Sequence, residues 1–332
     1  MLRLNLQMPT TTRSSIVVVG SLNADQVIRV DQLPRSGQTV IGREHRLFCG
    51  GKGANQAFAA AKLNGHVHMI GSVGADETGK TLTTNLASAG VNTDGITATG
   101  SVGTGTAHIT IDSAGLNQIV ILPGANALLL PEMLEACEKN LETARIVLLQ
   151  LEIPMATVEA VARKAKKTGA IVILDPAPAQ RLSVALLRNV DFLTPNLGEL
   201  AILLNRPINE GVPIGEAAGM AAPLVAEYGF RIIVKMGDQG ATLVSPDQQH
   251  HHWPAFPVQT VDTTGAGDTF NGAFAVALAE GMPNHQAGVF ACAAAACSVT
   301  RLGAQAGMPS RSEVDALIRS SNPSHQSGGT PR

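Results

Sequence analysis

The chain has 332 residues, with 24 Lys plus Arg against 26 Asp plus Glu, and it is 45% apolar but only 15% charged. That much apolar surface offsets the entropy of ordering and excludes a chain disordered throughout, while a net charge of −2 leaves no basic field for a nucleic-acid backbone or an anionic membrane surface. The length suits one large α/β unit with an appendage. The longest unbroken apolar run, 289–297, is less than half of the roughly 20 residues a bilayer span requires, so neither nucleic acid nor membrane is an expected partner.

In chain order, residues 1–14 lack a continuous apolar segment and a small-residue cleavage site, so they read as a disordered N-terminal extension rather than a secretory signal. Short β-branched or apolar runs at 16–19, 67–73, 146–151, 171–174, 192–194 and 232–234 predict buried strands. Between them, 54–63, 131–141, 156–167 and 216–228 predict helices, three of them stopped by Asn64-Gly65, Gly169 and Gly229. This alternation predicts an α/β fold: a Rossmann-like, mostly parallel sheet with helices on both faces, three layers in all, and ligands at the carboxyl ends of the strands.

Two stretches break the alternation. Residues 26–49, with the turn Leu33-Pro34-Arg35-Ser36-Gly37, and 105–122, with Asp112-Ser113-Ala114-Gly115, read as hairpins. Together they predict a small β-sheet lid over the strand ends, of the kind a transfer enzyme uses to exclude water; two fixed edge hairpins are the alternative. Residues 320–332, rich in Ser, Pro and Gly, read as a disordered tail. Cys49, Cys137, Cys292 and Cys297 show no CxxC spacing, which points to reduced thiols and a cytoplasmic setting.

The segment Val261-Asp262-Thr263-Thr264-Gly265-Ala266-Gly267-Asp268-Thr269-Phe270 precedes a helix-prone run at 271–279. Its glycines let the backbone turn so that the amides of Gly265, Ala266 and Gly267 converge as an anion hole. Asp268, in the first turn, is placed to accept a proton from a substrate hydroxyl during phosphoryl transfer; a capping role, the alternative for such an Asp alone, is weakened by the surrounding Gly-Ala-Gly-Asp cluster. Gly50-Gly51-Lys52-Gly53 forms a loop that a small ligand can approach, with Lys52 and Asn55 as donors. Asp25 offers two acceptors to a diol. Glu152 follows a buried strand, where an ionised group needs partners.

Three other features compete. GADETGKT at 74–81 matches GxxxxGK[ST] and pairs on paper with Asp175 as a P-loop nucleotide site, but Asp76 and Glu77 would repel phosphates inside the cradle. His250, His251 and His252 read as a solvated loop rather than a metal site. No GxG continues to GxGxxG, and ten aromatic residues, eight Phe, one Tyr and one Trp, are too few for a nucleic-acid stacking platform.

The DTTGAGDTFNGAF segment resembles the C-terminal signature of the ribokinase-type (PfkB) carbohydrate kinases. Gly50-Gly51-Lys52-Gly53-Ala54-Asn55-Gln56-Ala57 resembles their N-terminal signature, and Gly20-Ser21-Leu22-Asn23-Ala24-Asp25 and Thr194-Pro195-Asn196-Leu197-Gly198-Glu199 match further family segments in the right order. The resemblance spans a kinase domain at 15–310 and implies a ribokinase-like fold that transfers the γ-phosphoryl group of ATP to O5 of D-ribose, or to another furanose or nucleoside. By resemblance, Asp268 is the base and Asn23, Asp25, Gly51, Lys52, Gly53, Asn55 and Glu152 hold the sugar. Asn196, Glu199, Lys235, Gly237, Gly240, Gly267 and Cys292 would meet ATP, with an aliphatic adenine pocket and with Glu199 reaching Mg²⁺ through water. Lys235 stands where the family often has Thr. Asp262, Thr264, Ser298, Arg301, Gly303 and Gly307 would form a K⁺ site, Gly307 replacing a frequent Ser. A homodimer through the lid is also implied.

Overall fold

The computed structural model describes residues 15–206, 213–247 and 249–321; the extension expected at 1–14 and the tail from 322 onward lie outside them. Strand β1 (Ser15–Val19) leads to β2 (Asn23–Arg29), β3 (Glu44–Gly50), helix α1 (Lys52–Lys62), β4 (His66–Gly74), α2 (Glu77–Ser88), β5 (Asn92–Thr99), β6 (Gly105–Ile111) and β7 (Asn117–Leu122). The second half runs α3 (Glu138–Thr143), β8 (Ile146–Leu149), α4 (Met155–Thr168), β9 (Ile171–Leu174), α5 (Val184–Leu187), β10 (Phe192–Leu193), α6 (Leu197–Leu203) and α7 (Ile214–Tyr228). It closes with β11 (Arg231–Lys235), β12 (Ala241–Val244), β13 (His250–Trp253), α8 (Ala266–Ala279), α9 (Asn284–Ser298), α10 (Ala304–Gly307) and α11 (Arg311–Ser321).

Nine strands form one sheet in the order β13-β12-β11-β10-β9-β8-β1-β4-β5, parallel except at β11–β12 and β12–β13. In β1, Ile16 and Val18 join the core under α1, α8 and α9, while Val17 and Val19 join the core under α4 and α7. All four are fully buried, which is what a strand covered on both faces requires. The strand order reverses between β1 and β8, and a crevice opens there at the carboxyl ends.

The two hairpins make a separate four-stranded sheet, β3-β2-β6-β7, joined by parallel pairing of β2 with β6. β2 begins at Asn23, three residues before the expected boundary at 26, so this strand of the small sheet already carries Asn23 and Asp25.

Several expectations are corrected. The run 146–151 stops being strand at Leu149; Gln150 and Leu151 stay buried, and Glu152 turns to Ser21, Asn23 and Lys52. The single helix expected at 131–141 is a 3₁₀ segment, Pro131–Cys137, followed by α3. His250, His251 and His252 lie on edge strand β13, paired with β12, not in a loop. The domain does not end at 310: α11 continues it, with Val314 fully buried, and takes in Ser320 and Ser321 of the expected tail. The four cysteines are free. Among the described residues no helix is long and apolar enough to cross a membrane.

Candidate active site

At the crevice two backbones meet. A Cβ on Gly53 would come within 2.6 Å of the Gly20 carbonyl carbon and the Ser21 nitrogen, and one on Gly51, at φ +87°, within 2.6 Å of the Asn23 nitrogen. Only glycine permits this approach of the α1 entrance to the β1–β2 turn. Glu152 then ties the two together: its Oε2 accepts from Ser21 Oγ (2.6 Å), the Lys52 amide (3.1 Å) and Asn23 Nδ2 (3.4 Å). Asn126 fixes the amide of Asn23 by donating to its Oδ1 at 2.8 Å, and also spans the Leu22 backbone.

Asp25 lies over Gly50, where a Cβ would sit 2.1 Å from its Oδ2. Burial, then the charges of Glu152 and Asp268, push its carboxyl up to about 7, with Lys52 working against the rise. Asn23, Asp25, Gly51, Gly53 and Glu152 therefore form one polar cluster.

Gly265 opens α8 in the left-handed region at φ +75°. Asp268 enters one turn later, buried, and accepts from Asn55 Nδ2 at 3.0 Å and Gln56 Nε2 at 3.1 Å. This placement follows from close helix packing: a Cβ on Gly272 would fall 2.8 Å from the Gln56 carbonyl oxygen and 2.9 Å from Ala59 Cβ. Burial raises the proton affinity of Asp268, Lys52 offsets part of that, and Asp175 adds to it. Burial alone would lower Lys52, but Asp268, Asp175, Glu152 and Glu199 override it and hold the ammonium charged. One expectation for the anion hole changes. The Ala266 amide, expected in that hole, is turned to the Thr263 carbonyl at 3.2 Å, which leaves the Gly267 amide among the first-turn amides with no intrahelical acceptor.

Sequence reading missed the second layer. Gln56 Nε2 also donates to Asp175 Oδ2 at 3.0 Å, and Gln150 Nε2 holds Gln56 Oε1 at 2.7 Å. Gln305 Nε2 donates to Asn55 Oδ1 at 3.0 Å. A signal was present in Gln56, a polar residue inside the Ala-rich α1, and in Gln150 at the end of an apolar strand.

Asp268 and Lys52 also border a cavity of about 610 Å³. Asp175, Lys235 and Gly267 lie close together in its lining, which also includes the polar residues Asn196 and Glu199, Gly237 and Gly240, and the apolar side chains of Phe256, Val258, Ala295, Val299 and Cys292. Its size and its mixed polar and apolar lining suit a nucleotide. Burial pushes the Cys292 thiol up to about 12, so it is an apolar lining group. Asn196 and Glu199 are also a capping box, with Glu199 Oε2 accepting the Asn196 amide and Asn196 Oδ1 accepting the Glu199 amide, both at 2.8 Å. Capping and wall position coexist.

The P-loop look-alike is structural. Asp76 caps α2 through the Gly79 amide at 2.7 Å and binds Thr104 Oγ1 at 2.7 Å, while Lys80 pairs with Glu77 at the surface. Its supposed partner Asp175 belongs to the other cavity. Among the described residues no cluster of three His, Cys, Asp or Glu side chains suits a metal ion; Glu199 is one of the carboxylates lining the cavity, and an Mg²⁺ that kept its waters would meet it through them.

At the expected K⁺ site, Asp262 Oδ1 accepts from Thr264 and Oδ2 from the Gly303 amide at 2.8 Å. Burial would raise this carboxyl, but those hydrogen bonds outweigh it and hold it below its ordinary range. A Cβ on Gly307 would lie 2.8 Å from the Ser298 carbonyl oxygen and 3.4 Å from that of Arg301, so two carbonyls converge where glycine leaves room. The Arg301 guanidinium points away, to Glu313. These oxygens fit a weakly hydrated monovalent cation.

The model of the pfkB family carbohydrate kinases matches residues 13–311. The chain is 41% identical over 304 residues to the ribokinase of Bacillus subtilis (strain 168), covering 92% of this chain and 99% of that one. It is 39% identical over 304 residues to the deoxyribokinase of Salmonella typhi, covering 91% and 98%. The structure of Arabidopsis thaliana ribokinase complexed with ribose and ATP superposes with a TM-score of 0.86 at 36% identity, covering 92% of this chain and 98% of that one. With this match over nearly the whole described fold, and an Asp at a glycine-opened helix start between a polar cluster and a nucleotide-sized cavity, the chain belongs to the pfkB family of carbohydrate kinases.

Proposed function

We propose that the protein phosphorylates D-ribose at O5 with ATP, giving D-ribose 5-phosphate and ADP. The observation that carries this reading is the position of Asp268, tied to Asn55 and Gln56 between the Asn23–Asp25–Glu152 cluster and the 610 Å³ cavity. The sugar hydroxyl oxygen bonds to the γ phosphorus as the bond to the β–γ bridging oxygen breaks; the hydroxyl proton passes to Asp268 and ADP leaves. Asn23, Asp25 and Glu152 orient the sugar, Lys52 balances the carboxylates, and the Gly267 amide faces the growing charge. Glu199, through water, would hold Mg²⁺, which would offset the phosphate charge. A monovalent cation at Asp262, Ser298 and Arg301 would order the loop that carries Gly265.

The hairpins at 26–49 and 105–122 act as a lid and pair two copies into a homodimer, supported by their exposed apolar residues. A cytoplasmic site is proposed on the four unpaired cysteines. A second reading, deoxyribose as acceptor, is favoured by the similar identity to a deoxyribokinase. ADP release measured over ribose, deoxyribose, fructose and nucleosides, with Mg²⁺ and with or without K⁺, separates them. Ribose is expected to give the highest kcat/KM, and the absence of ADP release with ribose would overturn the proposal.

A further inference from the structure

Lys235 ends β11 inside the cavity, its side chain only 14% exposed, and its Nζ donates at 3.0 Å to Oδ1 of Asp175, which is 3% exposed. Such a pair costs desolvation on both sides, and replacing buried pairs by apolar residues is often neutral or stabilising, so folding alone does not account for it. Its location is more informative. A Cβ on Gly267 would lie 3.2 Å from Lys235 Nζ, so the ammonium stands against the first turn of α8, beside the amides that face the cavity. Two chain-distant elements thus bring a mobile, compact cation to the anion hole. Asp175 also accepts, through Oδ2, one N–H of Gln56, whose Nε2 serves Asp268 as well.

We propose that Lys235 transfers its hydrogen bond from Asp175 to the migrating phosphoryl group and so acts as the charged donor of the anion hole. Asp175 is its resting acceptor. As the ammonium shifts towards the phosphate it neutralises Asp175 less, and Asp268, joined to Asp175 through Gln56, becomes more avid for the hydroxyl proton. Lys235 keeps its proton throughout; the bonds made and broken are those of the transfer above. The inference rests on the phosphoryl-transfer reading of this site.

Lys235→Met is expected to lower kcat by about 30- to 100-fold with the sugar KM within about threefold, the signature of a contact made in the transition state. By calorimetry with Mg²⁺ present, wild type prefers a non-hydrolysable ATP analogue to ADP by about tenfold, and the variant loses that preference. The neutral pair Lys235→Met/Asp175→Asn leaves no orphaned buried charge; its kcat is expected to stay as low, whereas Lys235→Arg keeps about a fifth or more of wild-type kcat. A Lys235→Met kcat within about threefold of wild type, or a double variant restored to that level, would overturn the proposal by reducing Lys235 to a neutraliser of Asp175. If Lys235→Met fails to fold, the double variant decides. Wild type that releases no ADP with any sugar would sink the proposed function instead, and the calorimetric comparison would still test Lys235.

Discussion

As the proposed base, Asp268 must be buried enough to face a dry transfer site, yet it must ionise before it can take a proton. The structure meets both demands with amide donors rather than a salt bridge: Asn55 and Gln56 hold its two oxygens, and Lys52 supplies charge without a direct hydrogen bond. Asp268→Asn keeps the shape and removes the acceptor, so kcat is expected to fall at least about a hundredfold with nucleotide affinity within about threefold, measured by steady-state kinetics and calorimetry. Asp25 makes a second residue-scale prediction. Its folded pKa of about 7 lies above the ordinary 3.8, so the folded chain holds a proton that the unfolded chain releases. Stability from this group is fully present below 3.8 and is lost as pH rises through about 7. Asp25→Asn is therefore expected to raise Tm by about 2–4 °C at pH 8, a gain that shrinks towards pH 5 in thermal melts. A gain independent of pH would contradict the assignment.

Among the elements, the crossing of α1 and α8 decides whether the site exists. Gly272, Ala59 and Ala60 let the helices approach, and only at that distance do Asn55 and Gln56 reach Asp268. Gly272→Ala is expected to push the helices apart by a few tenths of an ångström and to cut kcat by about tenfold, since small misplacements of catalytic groups are costly, while the fold survives. Lys80→Ala serves as the contrasting test: Lys80 pairs with Glu77 on the surface of α2, and steady-state kinetics should change less than about twofold, as for most exposed pairs. The 3₁₀ turn and two short antiparallel strands after β11 were not legible beforehand, because runs of four residues such as Ala241–Val244 and His250–Trp253 carry too little periodicity to declare a strand. Their pairing comes from the hairpin and from Trp253 packing into the core.

For the whole molecule, the small sheet leaves an unusual amount of apolar surface. Every residue of β7 is exposed, including Ile119 at 53% and Ile121 at 42%, and Leu47 on the opposite edge strand is 57% exposed. Edge strands of this kind are templates for pairing. If the lid joins two copies, Ile119→Asp/Ile121→Asp should halve the mass seen by sedimentation equilibrium and raise the sugar KM, with the large sheet untouched. A variant that sediments like wild type would leave the dimer without its proposed interface.

The sequence alone determined six strands of the large sheet, β1, β4, β8, β9, β10 and β11, with helices between them, the two hairpins, and the local placement of Gly51, Gly53, Gly265, Gly267 and Asp268, because each of these is written in residue types a few positions apart. Tertiary structure decided the rest. Gln56 becomes a clamp only because Asp175, 119 positions away, and Asp268, 212 away, fold onto its one amide nitrogen. Lys235 reaches the first turn of α8 only because β11 ends beside it, and the Ala266 amide turns away because the turn closes on Thr263. Local order follows from near-neighbour sterics and burial period; partnerships between distant polar groups depend on how packed layers meet, and no stretch of chain records that by itself.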